Sequence, residues 1–129
     1  MTDVERETAS VVDRLYQAYF AGDTDGMLRT MSDNVWIRFL GIVDLRGIEG
    51  ARRFFQTNNA KLLDLDFQIR TLIIDGHHAA AVWEESARTA KGEAYSNHGV
   101  DVFEIRDGRI VSVHENNDVR VHRHHFGRR

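Results

Sequence analysis

The chain opens on a helical pattern. Apolar residues recur at Val4, Val11, Val12, Leu15, Tyr19 and Phe20 and stop at Gly22, a spacing that gathers them into one stripe of an α-helix. Thr2 and Glu5 supply a capping box at its start. Asp23 or Thr24 can cap a second, shorter helix with Met27, Leu28 and Met31 on one side, ending near Ser32 and Asp33. Val35 to Leu40 has strand composition, and Gly41 to Gly47 reads as a connection with room for one short strand. A third helix is expected from Ile48, with Ala51, Phe54 and Phe55 inward.

From Leu62 the period changes to two. Leu65, Phe67, Ile69, Thr71 and Ile73 fall on one face, and Asp75-Gly76 supplies a turn. Further strands are expected from Ala79 to about Thr89, from Glu93 to Ile105 and from Arg109 to about Val121, separated by turns at Lys91-Gly92 and Asp107-Gly108. The order is α-α-β-α-β-β-β-β. Strands joined by short Gly turns predict an antiparallel meander, and helices gathered in the N-terminal half predict that they cover one face of it, an α+β architecture.

Length, composition and charge narrow the function. With 129 residues, 42% of them apolar and 29% charged, the chain is expected to form one domain over 1–129, with 120–129 as a flexible Arg- and His-rich tail. The absence of cysteine excludes disulfides, thiolate metal sites and a cysteine nucleophile. A net charge of -3 argues against nucleic-acid binding. No signal peptide or membrane span is apparent, so a cytoplasmic protein without membrane contact is expected. His77 and His78 sit at a turn and His122, His124 and His125 in the tail, without convergent carboxylates, so no metal is expected. No phosphate loop, dinucleotide fingerprint or nucleophile elbow occurs, and no organic cofactor is expected.

Polar residues inside apolar rows are the candidate chemistry. On the last strand Glu115 and Asn117 interrupt Val111, Val113, Val119 and Val121; on the preceding one Asn97 and Asp101 share a face with Tyr95, Gly99, Phe103 and Ile105. A carboxylate in such a row finds a partner, opens onto a wet cavity or takes up a proton. Whether Asp101 and Glu115 share a face depends on the Asp107-Gly108 turn. A two-residue turn separates them, whereas a three-residue loop with a Gly bulge brings them together and sets Gly99 beside Glu115. The bulged register is preferred because it leaves space over the carboxylate. On the early strand Trp36, Arg38 and Leu40 share one face, and Arg38 is either a surface arginine or a pocket cation. Glu84, Ser86 and Arg88 alternate with Trp83, Glu85 and Ala87, and periodicity does not say which set faces in. Tyr16 and Tyr19 are core aromatics whose phenols can donate to a bound oxygen.

Several phrases carry a resemblance. Tyr19-Phe20-Ala21-Gly22-Asp23, Ser32-Asp33-Asn34-Val35, Arg46-Gly47-Ile48-Glu49-Gly50 with Phe54-Phe55, and Val102 to Ile110 resemble the SnoaL-like, ketosteroid-isomerase-like branch of the nuclear-transport-factor-two-like superfamily. The resemblance implies a cone of curved antiparallel sheet that encloses a pocket beneath three helices, commonly as a homodimer. Asp101 matches the oxyanion-binding aspartate of ketosteroid isomerases, whose general-base aspartate is replaced here by Arg38 and whose tyrosine aligns near Leu15, close to Tyr16 and Tyr19. Glu115 falls at or beside the last-strand acid of the cyclases and limonene-type epoxide hydrolases. Val82-Trp83-Glu84 lacks the arginine of the epoxide hydrolases' Arg-x-Asp pair.

The expectation is therefore a cofactor-independent acid-base enzyme of isomerase, cyclase or epoxide-hydrolase type, acting on a small apolar carbonyl or epoxide compound. Glu115 is the expected proton acceptor, Asp101 or Tyr16 the donor to a developing oxyanion, and Arg38 either an anion-binding group or a partner of Glu115. Trp36, Tyr19, Asn97, Asn117, Phe103, Phe55 and Glu84 are the expected substrate contacts. The alternative is a non-catalytic binding or dimeric interaction module of the same fold.

Overall fold

The predicted cap forms at the first helix. In the computed structural model, which describes residues 1–39, 43–59 and 62–126, the Thr2 hydroxyl accepts from the Glu5 backbone N–H at 3.1 Å and the Glu5 carboxylate accepts from Thr2 N–H at 3.0 Å. Helix α1 then runs Asp3–Phe20 and buries Thr8, Val11, Val12, Leu15 and Tyr16. Asp23 caps α2, Thr24–Arg29, by accepting from Gly26 N–H at 2.9 Å.

Helix α2 is shorter than its sequence suggests. The Thr30 hydroxyl donates to the Met27 carbonyl at 2.6 Å, and the Thr30 carbonyl accepts from Ile110 N–H at 2.8 Å, which turns the following residues onto the sheet. Met31 therefore opens strand β1, Met31–Phe39, instead of ending the helix near Ser32 and Asp33. The short strand β2, Val43–Arg46, pairs back antiparallel on β1, and α3 follows at Ile48–Asn59. The expected strand end at Leu40, the start of the expected connection at Gly41, and tail residues 127–129 lie outside the described residues.

Strands β3 (Leu62–Asp75), β4 (His78–Thr89), β5 (Ala94–Arg106) and β6 (Arg109–Asn117) form the expected meander. β1 joins the edge of β6 in parallel, giving a curved six-stranded sheet in the order β2-β1-β6-β5-β4-β3. The core lies between helices α1 and α2 and the inner face of this sheet, where Val11, Met31, Val35, Phe103, Ile105 and Ile110 are buried. Each such side chain contributes about 1.5–3 kcal/mol by leaving water.

Three local features depart from the sequence expectation. In β3, Ile69 pairs with Trp83 but Thr71 pairs with Val82, so Arg70 is an extra residue. This bulge moves Thr71 and Ile73 to the face opposite Phe67 and Ile69. At the β5–β6 turn, Asp107 and Gly108 both have positive φ (51° and 73°) and Arg106 pairs with Arg109, a two-residue turn and not the preferred bulged loop. A bulge follows inside the strand instead: Ile105 pairs with Ile110 but Glu104 pairs with Ser112, leaving Val111 extra. Gly99 consequently pairs with Asn117, and the residue opposite Glu115 is Asp101.

The third departure is the C-terminus. β6 ends at Asn117, and Val119–Phe126 forms a fourth helix, α4, where the sequence suggested more strand and a flexible tail. Asp118 is the cause. Its carboxylate accepts from Arg120 N–H at 3.0 Å while its own N–H donates to the Asn97 side-chain oxygen at 3.1 Å. That satisfies orphaned donors at the start of the helix.

Candidate functional site

Alternation along β4, β5 and β6 builds the floor of a cavity. One inward row is Ala81, Asp101 and Glu115, with Phe39 of β1 beside Glu115; the next is Trp83, Gly99 and Asn117; the third pairs Glu85 with Asn97. Helix α1 brings Tyr16 and Tyr19 over this floor, α3 brings Phe54 and Phe55, and α4 brings His122 and Phe126. The hollow they line is about 910 Å³ counting its open mouth and the solvent space there.

Two aromatic donors hold Asp101. Tyr16 O–H donates to its Oδ2 at 2.6 Å, and Trp83 Nε1–H donates to its Oδ1 at 3.0 Å. The indole reaches because residue 99 is glycine. A Cβ there would lie 2.7 Å from Trp83 Cζ2 and 2.1 Å from the Asn116 carbonyl oxygen. Glu115, across the ladder, has no such help, and its carboxyl receives no hydrogen bond from the described residues.

This asymmetry sets the charges. Burial raises both carboxyls above the ordinary range, but the Tyr16 and Trp83 donors pull Asp101 back toward ionisation. Glu115 is driven well up by burial, and further by the charges of Asp101 and Glu85. These directions favour the pair's proton on Glu115 and its negative charge on Asp101. Burial first, then Asp101, raises Glu85 to about 7. Tyr16 and Tyr19 are pushed far above the ordinary phenol, chiefly by burial, and remain donors.

Seven of the expected residues line the cavity: Asp101, Glu115, Tyr16, Tyr19, Phe55, Phe103 and Asn117. The Asn117 side-chain oxygen is buried without a hydrogen-bond partner among the described residues. Arg38 and Trp36 do not line it. Val35, Ile37 and Phe39 take the core side of β1, so alternation sends Arg38 and Trp36 to the outer face. There the Arg38 guanidinium lies 3.9 Å from the Trp36 ring centre, Arg46 lies 4.2 Å from it, and Trp36 Nε1–H donates to Asp44 at 2.7 Å. Arg38 is therefore neither a pocket cation nor a partner of Glu115.

Glu84 is also outside, ion-paired with Arg70, and its neighbour Glu85 is the inward acid. Asn97 lies in the inward row but is not a ligand contact. Its amide donates to Tyr95 Oη at 3.1 Å, and its oxygen accepts from His98 N–H at 2.8 Å and from Asp118 N–H at 3.1 Å. It braces the start of α4. Sequence reasoning missed Trp83, Glu85 and Tyr95 as lining residues, although Gly99 opposite Trp83 was a usable signal. It also missed His122 and Phe126, whose spacing after Asp118 suits a helix face. Among the described residues no group of three His, Asp or Glu side chains is placed to hold a metal ion, and no helix is long and apolar enough to cross a membrane.

Comparison with known proteins agrees with this architecture. The SnoaL-like domain profile matches residues 12–113. A candidate SnoaL-like polyketide cyclase from Jannaschia sp. CCS1 superposes with a TM-score of 0.88 at 15% identity, covering 98% of this chain and 96% of that one. A candidate isomerase from Bacillus subtilis gives 0.86 at 16% identity, covering 98% and 96%. An epoxide hydrolase of the LEH-like type from M. tuberculosis gives 0.78 at 18% identity, covering 91% and 86%. No functionally curated protein matches the chain in sequence.

Proposed function

Because this chain belongs to the SnoaL-like family, we propose that its cavity binds a small, largely apolar carbonyl or epoxide compound and performs acid-base chemistry on it through Asp101 and Glu115. The observation that carries this reading is the unequal pair: two carboxyls directly opposite in one cavity, one held by two donors and the other by none. Environments that push two acids apart assign one as base and the other as acid. Solved structures that share this fold carry the names polyketide cyclase, isomerase and epoxide hydrolase, the reaction types this reading draws on.

For a carbonyl substrate the roles follow from the charges, and they reverse the sequence expectation that made Glu115 the acceptor and Asp101 or Tyr16 the donor. Asp101, ionised, takes a proton from the carbon next to the carbonyl, while Glu115, protonated, donates to the carbonyl oxygen. The product of that step is the neutral enol. Return of the proton from Asp101 to a different carbon, with the enol O–H proton going back to Glu115, completes an isomerisation. Attack of the enol carbon on a second carbonyl of the same molecule forms a ring instead, the new alkoxide taking the proton from Asp101 while the enol O–H proton goes back to Glu115. Each route returns both carboxyls to their starting states. Tyr16 positions Asp101, and Asn117 is free to orient the substrate oxygen.

The test is deuterium uptake from D2O at the carbon next to the carbonyl, across a panel of small cyclic ketones and enones. Wild-type protein is expected to catalyse exchange, and Glu115→Gln and Asp101→Asn to lose it by about 100-fold or more. Ligand affinity should stay within a few-fold, and absence of exchange with every panel member contradicts the reading. One observation favours a non-catalytic carrier: both oxygens of Asp101 already accept a hydrogen bond, as a purely structural buried acid would. The proposal includes a homodimer formed through the outer sheet face, where Ile73 and Val102 are 56% and 39% exposed beside Ala80.

A further inference from the structure

Glu85 stands apart from the reacting pair. It lies opposite Asn97 on β5, whereas Asp101 lies opposite Ala81. The two positions are separated along β4 by roughly 13 Å at ~3.3 Å per residue. Four residues of strand thus separate the backbone position of Glu85 from that of the reacting pair, although the carboxyls still feel one another's charge. The protein does not use the Glu85 carboxyl, which has no hydrogen bond or ion pair among the described residues.

Aromatic rings surround this acid. Phe67 is its direct cross-strand neighbour on β3 and stacks on Trp83 with ring centres 5.2 Å apart. Tyr19 meets Phe67 edge-on at 5.5 Å, and the Tyr19 and Tyr95 phenols both feel the Glu85 charge. The described cavity lining carries three acids, Glu85, Asp101 and Glu115, and neither lysine nor arginine. An anionic ligand would enter against this field, with His122 the one basic side chain in the described lining. A neutral ligand would leave Glu85 desolvated and unpaired. A protonated amine satisfies both elements at once, since it pairs with the carboxylate and lies against aromatic faces.

We propose that the natural ligand carries a protonated amine at the end remote from its reacting group, bound by Glu85 among Tyr19, Phe67, Trp83 and Tyr95. Which end reacts rests on the acid-base reading above, whereas the binding itself does not. The cavity thus reads its ligand at two poles: the Asp101–Glu115 pair at one and the Glu85 aromatic box at the other. An apolar body spans the space between them.

Three probes with the same body and different charge test this on the full chain by calorimetry: 4-phenylbutylamine, 4-phenylbutanol and 4-phenylbutyrate. The amine is expected to bind about tenfold or more tighter than the alcohol, and the carboxylate weakest. Glu85→Gln should bring the amine to within about threefold of the alcohol. Unchanged alcohol binding in that variant shows that the cavity is intact. Glu84→Gln, on the outer face, should keep the amine preference. Carboxylate binding as tight as the amine, or an amine preference that survives Glu85→Gln, overturns the proposal. Tightest binding of the alcohol overturns it too, while leaving the acid-base reading in place. Failure of all three probes to bind contradicts the cavity as a ligand site, and both readings with it.

Discussion

Asp101 and Glu115 face each other because a bulge cancels the phase of a turn. The two-residue turn at Asp107-Gly108 alone would set Asp101 opposite His114 and leave Glu115 on the outer face. The extra residue Val111 shifts β6 by one position and brings both carboxyls into one cavity. The resulting pair shares one wall but not one set of partners, and its chemistry follows from that difference.

Tyr16 should set the pH at which the pair works. Its hydroxyl stabilises ionised Asp101, so Tyr16→Phe removes a donor and lets the Asp101 pKa rise further. A base with a raised pKa loses its active form at higher pH. The acidic limb of the rate profile is expected to move upward, and the variant to lose about 1–3 kcal/mol of stability at neutral pH. An unmoved limb would detach Tyr16 from the function of Asp101.

Gly99→Ala should damage the same carboxylate from the other side. The added methyl meets the Trp83 ring and the Asn116 carbonyl oxygen at distances no real Cβ keeps, and backbone cannot yield as a flexible side chain can. A cost of about 1–3 kcal/mol is expected in denaturant unfolding. Trp83 fluorescence should also shift as the indole leaves Asp101. A variant with wild-type stability and emission would show that the close approach is not needed.

Glu85 should make the protein less stable as pH rises. Its folded-state value of about 7 lies above the ordinary glutamate value of 4.5. Between those values the unfolded chain releases this proton while the folded one keeps it, so stability falls with rising pH across that window. Asp101 and Glu115 act in the same direction. Glu85→Gln should therefore gain on wild type between about pH 4.5 and 7, by on the order of a few kcal/mol. Thermal unfolding at pH 5 and pH 8 measures it, and parallel pH dependence in the two proteins would contradict the raised value.

The elements were legible wherever periodicity and caps agreed. Thr2 with Glu5, Asp23, and the Gly turns of the meander each specify structure through contacts a few residues apart, and each formed where the sequence places it, although the Asp107-Gly108 turn is a two-residue one and not the preferred bulged loop. Most of what the sequence concealed depends on partners distant in the chain. Thr30 ends α2 early partly because Ile110 pairs with it. Asp118 caps α4 while Asn97, on another strand, holds its backbone. The bulges at Arg70 and Val111 have no sequence signature and change every residue's face beyond them. The candidate site was legible in the same measure. Glu115 and Asp101 stood out as acids in apolar rows, whereas Arg38 against Phe39, and Glu84 against Glu85, required knowing which half of an alternation the core takes.

The central claim is that the proton of the pair sits on Glu115 and the charge on Asp101. Carboxyl infrared difference spectra of the unliganded protein, recorded with 13C-labelled carboxyls, test it most directly. At pH 7, in a Glu85→Gln background that removes the half-protonated Glu85, the account predicts a protonated carboxyl band that Glu115→Gln removes and Asp101→Asn leaves in place. A spectrum with both carboxyls ionised, or with the protonated band lost in Asp101→Asn and kept in Glu115→Gln, would contradict it.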